Sequence, residues 1–294
     1  MTAAELAKFV RQIELKTRGL SSQVFSGEYH AAFKGRGMSF SEVRDYQPGD
    51  DVRDIDWNVT ARTGTPHIKI FEEERELSVL VVVDLTASMM FGTRAQSKRR
   101  LATELAAVLG SSALNNNDKV GAVLYGRGDP FYVPPKKGFQ HVLRIVRELG
   151  NATQQAGEAE LGEALRFVNN VTRRRAIVFL LSDFLGQGEY VTPLRVAARR
   201  HDLVGLRLSD PFERELPRVG LLPVLDLETG ERQLCDTSDA ATRRRHELYY
   251  ADARAASDQQ FRQAGAQLLD LTTGEDYVIK LIQFFKSRHK RLAR

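Results

Sequence analysis

The sequence predicts an α/β protein built on a doubly wound, mostly parallel sheet. Two observations lead there. The first is a pair of apolar runs of the same build: the run 77–83 closes on Val81-Val82-Val83-Asp84, and a second run reads Val178-Phe179-Leu180-Leu181-Ser182-Asp183. A strand buried on both faces is a near-continuous Val/Leu/Ile run, and here each run ends in a carboxylate. The second is an alternation of strand and helix patterns from Glu76 onward, which implies parallel strands with helices on both faces.

The elements follow in order. Residues 3–18 carry an apolar helical face of Leu6, Phe9, Val10, Ile13 and Leu15. The stretch 19–76, rich in Gly and Pro, reads as an irregular, strand-containing segment wrapping the main domain. Residues 1–76 thus form an N-terminal part and 77–290 the α/β domain. After the first central strand, Thr93-Arg94-Ala95-Gln96 has the form of a capping box that opens a helix with Leu101, Leu105, Val108 and Leu109 inward. A strand follows at 120–124. Phe131-Tyr132-Val133, stopped by Pro134-Pro135, reads as an antiparallel edge strand. A helix with Val142, Ile145, Val146 and Leu149 ends at Gly150. Further elements are a helix over 161–171, a strand over 176–182, a helix over 191–199 and a strand over 203–208. An insertion at about 211–238 carries a hairpin, 221–226 with 233–235, turning at Thr229-Gly230. A long polar helix over 239–263 ends at Gly265, and a last strand (267–271) and helix (277–288) complete a six-stranded sheet.

Composition narrows the function. At 294 residues, with 42% hydrophobic and 28% charged residues, the chain is ordinary for a soluble globular protein. No apolar stretch is long enough to span a bilayer, so no direct membrane insertion is expected. The first twenty residues lack the apolar core of a secretory signal. The single cysteine, Cys235, rules out an internal disulfide and fits a reducing compartment, so a cytoplasmic location is expected. Net charge is +5. The basic clusters at 173–175, 243–245 and 286–291 abut or lie in helical patterns and read as solvated faces rather than a nucleic-acid surface. A phosphate-binding GxxxxGK[ST] loop, a dinucleotide fingerprint and a nucleophile elbow are all absent. The six histidines are scattered without metal-ligand spacing.

The chemistry sits at the strand ends. Asp84, Thr86 and Ser88 follow the first central strand at alternate positions, and ligands of open α/β sheets bind beyond the carboxyl ends of the strands. A carboxylate and two hydroxyls are hard oxygen donors that suit Mg²⁺, which keeps several waters. Asp183 would face the same place. The plainer reading is that both acids only cap strand ends and the helices that follow. The acidic cluster Asp50, Asp51, Asp54 and Asp56 lacks the Gly and distal Glu of an EF-hand. With Arg44, Arg53 and Arg62 nearby, it reads as ion pairs and turn caps. Trp57 reads as a packing anchor.

The spacing D-x-[ST]-x-S after an apolar strand resembles the metal-ion-dependent adhesion site of von Willebrand factor A domains. A closer match comes from Gly35-Arg36-Gly37-Met38-Ser39-Phe40, the block from Arg44-Asp45-Tyr46-Gln47-Pro48-Gly49-Asp50-Asp51 through Val52-Arg53-Asp54-Ile55-Asp56-Trp57, then Ala61-Arg62-Thr63-Gly64 and Phe71-Glu72-Glu73-Glu74-Arg75. In that order they are similar to domain-of-unknown-function family fifty-eight, a set of von Willebrand A-like proteins associated with MoxR-type AAA+ ATPases. The resemblance implies a von Willebrand A-like fold and metal ligands Asp84, Thr86, Ser88 and Asp183 for Mg²⁺ or Mn²⁺. It also implies a non-enzymatic, metal-dependent protein-binding module. Such a module would be an adaptor or chaperone-like partner of a MoxR-type ATPase and of other von Willebrand A-like proteins. Complete sites of this type add a Thr from the loop before the helix at Leu161. Here that loop reads Gly157-Glu158-Ala159-Glu160, with Ala159 at about the Thr position, so a weak or vestigial site is expected. The competing class is a haloacid-dehalogenase-like phosphohydrolase using Asp84 as nucleophile. Against it, Thr86 stands where a second acid is needed, and no Lys follows a strand in the right place.

Overall fold

The structure is a computed structural model and describes residues 39–72, 77–93, 96–126, 128–152, 161–186, 188, 190–225 and 231–292. The helix expected over 3–18 and the Ala159 loop lie outside the described residues. Contacts divide the chain into Gly27–Glu76 and a larger unit that includes Leu77–Arg294.

In the smaller unit, β1 (Ser39–Asp45) pairs antiparallel with β2 (His67–Glu72), with a register shift between Phe40 and Glu42. Between them lie a 3₁₀ turn at Val52–Asp54 and α1 (Trp57–Thr63). The acidic cluster serves as the caps and ion pairs expected of it. Asp50 takes both guanidinium nitrogens of Arg44 at 2.8 and 2.9 Å. Asp51 accepts from Arg53 N, and Asp56 accepts from Asn58 N and Val59 N at the start of α1. Gly64, at φ 79°, closes α1 in the left-handed region that favours glycine. Trp57 is not the anchor expected from sequence. It is the first residue of α1 and 66% exposed, while its neighbour Asp56 is buried.

In the larger unit, six strands lie in the order β10-β7-β6-β3-β4-β5. They are β3 (Ser78–Asp84), β4 (Lys119–Tyr125), β5 (Phe131–Lys136), β6 (Ile177–Ser182), β7 (Asp202–Ser209) and β10 (Gln267–Thr272). All pairs are parallel except β4 with β5 at the edge. The chain starts in the middle at β3, steps out through β4 to β5, then returns to β6 on the other side. That reversal makes the boundary between β3 and β6 the topological switch point, where open α/β sheets bind their ligands.

Helices cover both faces. One face packs Leu80, Val82, Val178 and Leu180 against α4 (Leu161–Val171), α5 (Val191–Arg200) and the end of α7 (Ala240–Ala264). On the other, α2 (Lys98–Asn115) lies over β3, β4 and β7, beside α3 (Phe139–Asn151). There Phe285 of α8 (Tyr277–Leu292) meets Phe179 edge to face at 6.1 Å. Between β7 and α7 come α6 (Pro211–Arg214) and a two-stranded hairpin, β8 (Leu221–Leu225) with β9 (Arg232–Asp236).

Three boundaries depart from the sequence reading. The helix cap is Ser97, whose hydroxyl accepts from Arg100 N, not Thr93, whose hydroxyl donates to Asp210 instead. The edge strand β5 runs through Pro134 and Pro135, because β4 covers only one side of it and the other needs no ladder donor. Helix α3 passes Gly150 and is capped at Ala152.

Gly205, within β7, has no room for a side chain: a Cβ there would lie 2.4 Å from the Phe261 ring and 2.7 Å from Leu268. The glycine lets α7 seat Phe261 on the sheet. Gly205→Ala should therefore lower stability by about 1–3 kcal/mol, as overpacking does, read as a lower urea midpoint at unchanged slope.

Candidate functional site

Strand pairing sets the site. β3 and β6 run parallel with Val83 opposite Leu181, so Asp84 ends one strand where Ser182 ends the other and Asp183 follows at once. A 3₁₀ turn at Ala87–Met90 then folds the loop back over the strand ends and carries Thr86 and Ser88 with it.

All four residues singled out from sequence meet here. Asp84 Oδ1 accepts from Thr86 N at 2.8 Å and from Thr86 Oγ1 at 2.7 Å. The Thr86 and Ser88 hydroxyl oxygens are 3.1 Å apart, and the Ser88 hydroxyl also hydrogen-bonds Asp183. Asp84, Thr86 and Asp183 are buried.

The sequence reading missed four further groups. Ser182 Oγ donates to Asp84 Oδ2 at 2.7 Å, and the buried Tyr125 hydroxyl at the end of β4 hydrogen-bonds Ser182. Lys98 opens α2 with a side chain of 0% exposure, and its ammonium donates to Asp183 Oδ2 at 2.7 Å and to Glu213 Oε1. Glu213 is held in place by a capping box: Asp210 accepts from Phe212 N while Glu213 Oε2 accepts from Asp210 N. Asp210 also accepts from Thr93 N, Thr93 Oγ1 and Thr273 Oγ1, which ties the loop after β3 to the ends of β7 and β10. Two signals for these were present. Lys98 lies at helical spacing from Leu101 and Leu105, so it sits on the apolar stripe. Asp210-Pro211-Phe212-Glu213 has the form of a capping box with proline at the first helical position.

The two acids titrate in opposite directions. Burial, then the charge of Asp183, push the Asp84 carboxyl up to about 6. Burial also raises Asp183, but the Lys98 ammonium outweighs it and holds that carboxyl below its usual range. One acid of the pair has a cation and the other has only hydroxyls and an amide.

The residues fit a hard divalent cation. With both carboxylates ionised, Thr86 Oγ1 donates to Asp84, and its oxygen lies 3.1 Å from the Ser88 hydroxyl, which can turn its proton to Thr86 or to Asp183. Two lone-pair oxygens flanked by two carboxylates are a donor set for Mg²⁺ or Mn²⁺.

Leu185 N donates to Asp183 Oδ1 at 3.2 Å, and Phe184 between them is in the left-handed region at φ 52°, held by an edge-to-face contact with Phe261 at 5.0 Å. An aromatic residue rarely adopts that conformation, and such strain gathers at functional sites.

Residues 42–256 match the family described as "Protein of unknown function DUF58". An uncharacterized protein of Mycobacterium tuberculosis is 35% identical over 289 residues, covering 97% of this chain and 90% of that one. The YeaD protein of Bacillus subtilis is 28% identical over 118 residues, 40% of this chain and 27% of that one. Among solved structures, the conserved hypothetical protein BatB from Bacteroides thetaiotaomicron overlays with a TM-score of 0.48 at 16% identity, covering 73% of this chain and 99% of that one. An aerotolerance-related membrane protein from Bacteroides fragilis gives 0.49 at 13% identity, with the same coverage of 73% and 99%.

The raised Asp84 carboxyl makes a pH prediction. An acid whose pKa is higher folded than unfolded holds an extra proton in the folded state, so its stability is greatest below the unfolded value, about 3.9, and falls as pH rises. That loss is complete once pH passes through about 6. Asp84→Asn keeps the shape and removes the charge. It should add about 1–3 kcal/mol near pH 7.5 and almost nothing near pH 4, as urea unfolding at the two pH values would measure.

Proposed function

The chain belongs to the DUF58 family, and from that premise we propose that it is a von Willebrand A-like, non-enzymatic protein-interaction module whose docking face is the loop cluster over Asp84, Thr86, Ser88 and Asp183. The observation that carries this reading is the pair of hydroxyl oxygens at 3.1 Å, flanked by two buried carboxylates at the switch point of the sheet. Such a set of hard oxygen donors suits a divalent cation. Bound Mg²⁺ would supply a coordination position that a partner's carboxylate can fill, because a carboxylate is a hard donor that also neutralises the ion.

The protein surface around the site supports docking. Met90 and Phe91 follow Ser88 and are 47% and 37% exposed, and Phe212 on α6 is 42% exposed. The Asp210 network joins the two segments that carry them. On this reading these exposed apolar side chains would take part in the partner contact. As partner we infer a MoxR-type AAA+ ATPase, in which this protein acts as an adaptor or chaperone-like subunit, in company with other von Willebrand A-like proteins. Among the described residues no helix is long and apolar enough to cross a membrane.

The phosphohydrolase alternative gains one feature from the structure, the buried Lys98 beside Asp183. Lys98 is taken up by two carboxylates and has no exposure, and Thr86 at the second position cannot protonate a leaving group. General acid catalysis is typically worth about 10²–10⁴-fold. No turnover of a panel of phosphomonoesters is therefore expected. Turnover that disappears in Asp84→Asn would replace the binding reading with the enzymatic one.

Partner binding is tested by co-purification with the ATPase. Asp84→Ala or EDTA should weaken the complex by at least about tenfold, or 1.4 kcal/mol, while the variant stays folded. Substitution of Arg243, Arg244 and Arg245 should change it little, since exposed charges are screened over about 8 Å. A complex indifferent to both EDTA and Asp84→Ala would place the contact elsewhere.

A further inference from the structure

Lys98 is the buried group that the docking reading leaves unexplained. Its side chain is 0% exposed, yet it carries an ammonium, and burying an unpaired ammonium is strongly unfavourable. The charge is met by Asp183 at 2.7 Å and by Glu213. Asp84, the other carboxylate of the site, has no cation at hydrogen-bond distance; it accepts only from Thr86 and Ser182. Lys98 therefore neutralises the one acid that would have to turn to a metal together with Asp84.

Glu213 is a second seat for that ammonium. It is presented by a short helix whose capping box fixes its backbone, and one carboxylate oxygen serves the cap while the other serves Lys98. Asp183 and Glu213 share the one ammonium, so with Asp84 ionised the site carries more negative than positive charge even with the Arg99 guanidinium acting on Asp84, an excess that a divalent ion would relieve.

We propose that Lys98 is an internal cation that competes with a divalent metal for Asp183, and that Glu213 retains the ammonium when it leaves Asp183. This deepens the metal-site reading above and rests on it. In the resting protein Lys98 bridges α6 to the strand end. When Asp183 is released to the metal, Lys98 bonds Glu213 alone, so the state of the site is felt at α6, which carries the exposed Phe212.

The test is isothermal titration of Mg²⁺ into the full chain. Lys98→Met alone strands the buried Asp183 and the partly buried Glu213 and is expected to fold poorly, so the informative variant is Lys98→Met/Glu213→Gln. It removes one charge of each sign and leaves the net charge of the site unchanged. It should bind Mg²⁺ at least about tenfold more tightly than the wild type. Glu213→Gln alone keeps Lys98, deprives it of its second seat and should weaken Mg²⁺ binding by a similar factor. Near-ultraviolet circular dichroism confirms that each variant is folded. If the double variant binds no more tightly than the wild type while Asp84→Asn abolishes wild-type binding, Lys98 is not a competitor and the metal reading stands alone. If neither the wild type nor the double variant binds Mg²⁺ at millimolar concentration, the metal reading and the competition both fall.

Discussion

Two carboxylates forced together at the ends of paired strands govern the rest of this structure. The parallel register of β3 and β6 sets Asp84, the last residue of β3, beside the end of β6, which Asp183 follows directly. Like charges at that range in a buried setting cannot both stay ionised without help. The chain answers unevenly. Asp183 receives the Lys98 ammonium and a backbone amide, and Asp84 receives the Thr86 and Ser182 hydroxyls and the Thr86 amide. Hydroxyls stabilise a carboxylate less than an ammonium does, and Asp84 is left as the acid that gains most from a further positive charge.

How much of this could be read from residues alone depends on how local each interaction is. The central strands were plain, because both faces are covered and the runs of 77–83 and 177–181 carry no polar residue that would mark a solvent side except Ser78 at the margin. The convergence of Asp84, Thr86 and Ser88 was plain for the same reason: it is set within five residues. Asp183 required only that the two strands be neighbours. Glu213 could not be placed, since it comes from an element beyond β7 and reaches the site by tertiary packing. Lys98 was overlooked for a different reason. A lysine in the first turn of a helix normally points to water, and only its place on the stripe of Leu101 and Leu105 argued otherwise. The Thr93 cap failed because the helix begins only at Lys98, where the Ser97 hydroxyl accepts from Arg100 N, while the loop at Thr93 is tied to Asp210 instead. Trp57 failed because a large aromatic is a good sign of burial only on average, and at the first position of a short helix it had nothing to pack on.

The long helix α7 illustrates the division between scaffold and exposed surface. Of its 25 residues only Tyr250, Ser257, Phe261 and Ala264 are buried, three of them in its last third. That end is locked to the sheet by Phe261, seated over Gly205, and by a buried guanidinium. Arg207, in the middle of β7, donates to Asp270 at 2.6 Å and to Ser257 at 2.8 Å and pairs with Asp258 at 2.8 Å. An arginine in a central strand is tolerable only with such a full set of acceptors. The first half of α7 buries only Tyr250, and its Leu248 and Tyr249 are 48% and 59% exposed.

One contact connects that half to the site. His246 of α7 hydrogen-bonds the Glu213 carbonyl oxygen at 2.7 Å. Glu213 is thus held three ways: its side chain by Lys98 and by the Asp210 amide, and its carbonyl by His246. The four-residue α6 has no buried residue of its own, so these polar contacts rather than a core fix its position. Lys98 and His246 hold α6 from two other helices, so a change at either reaches it, whereas an element locked by core packing resists such a shift. A redistribution of charge between Asp183 and Glu213 therefore has a short path outward. It passes from the strand ends through α6 to the exposed half of α7, without any rearrangement of the sheet.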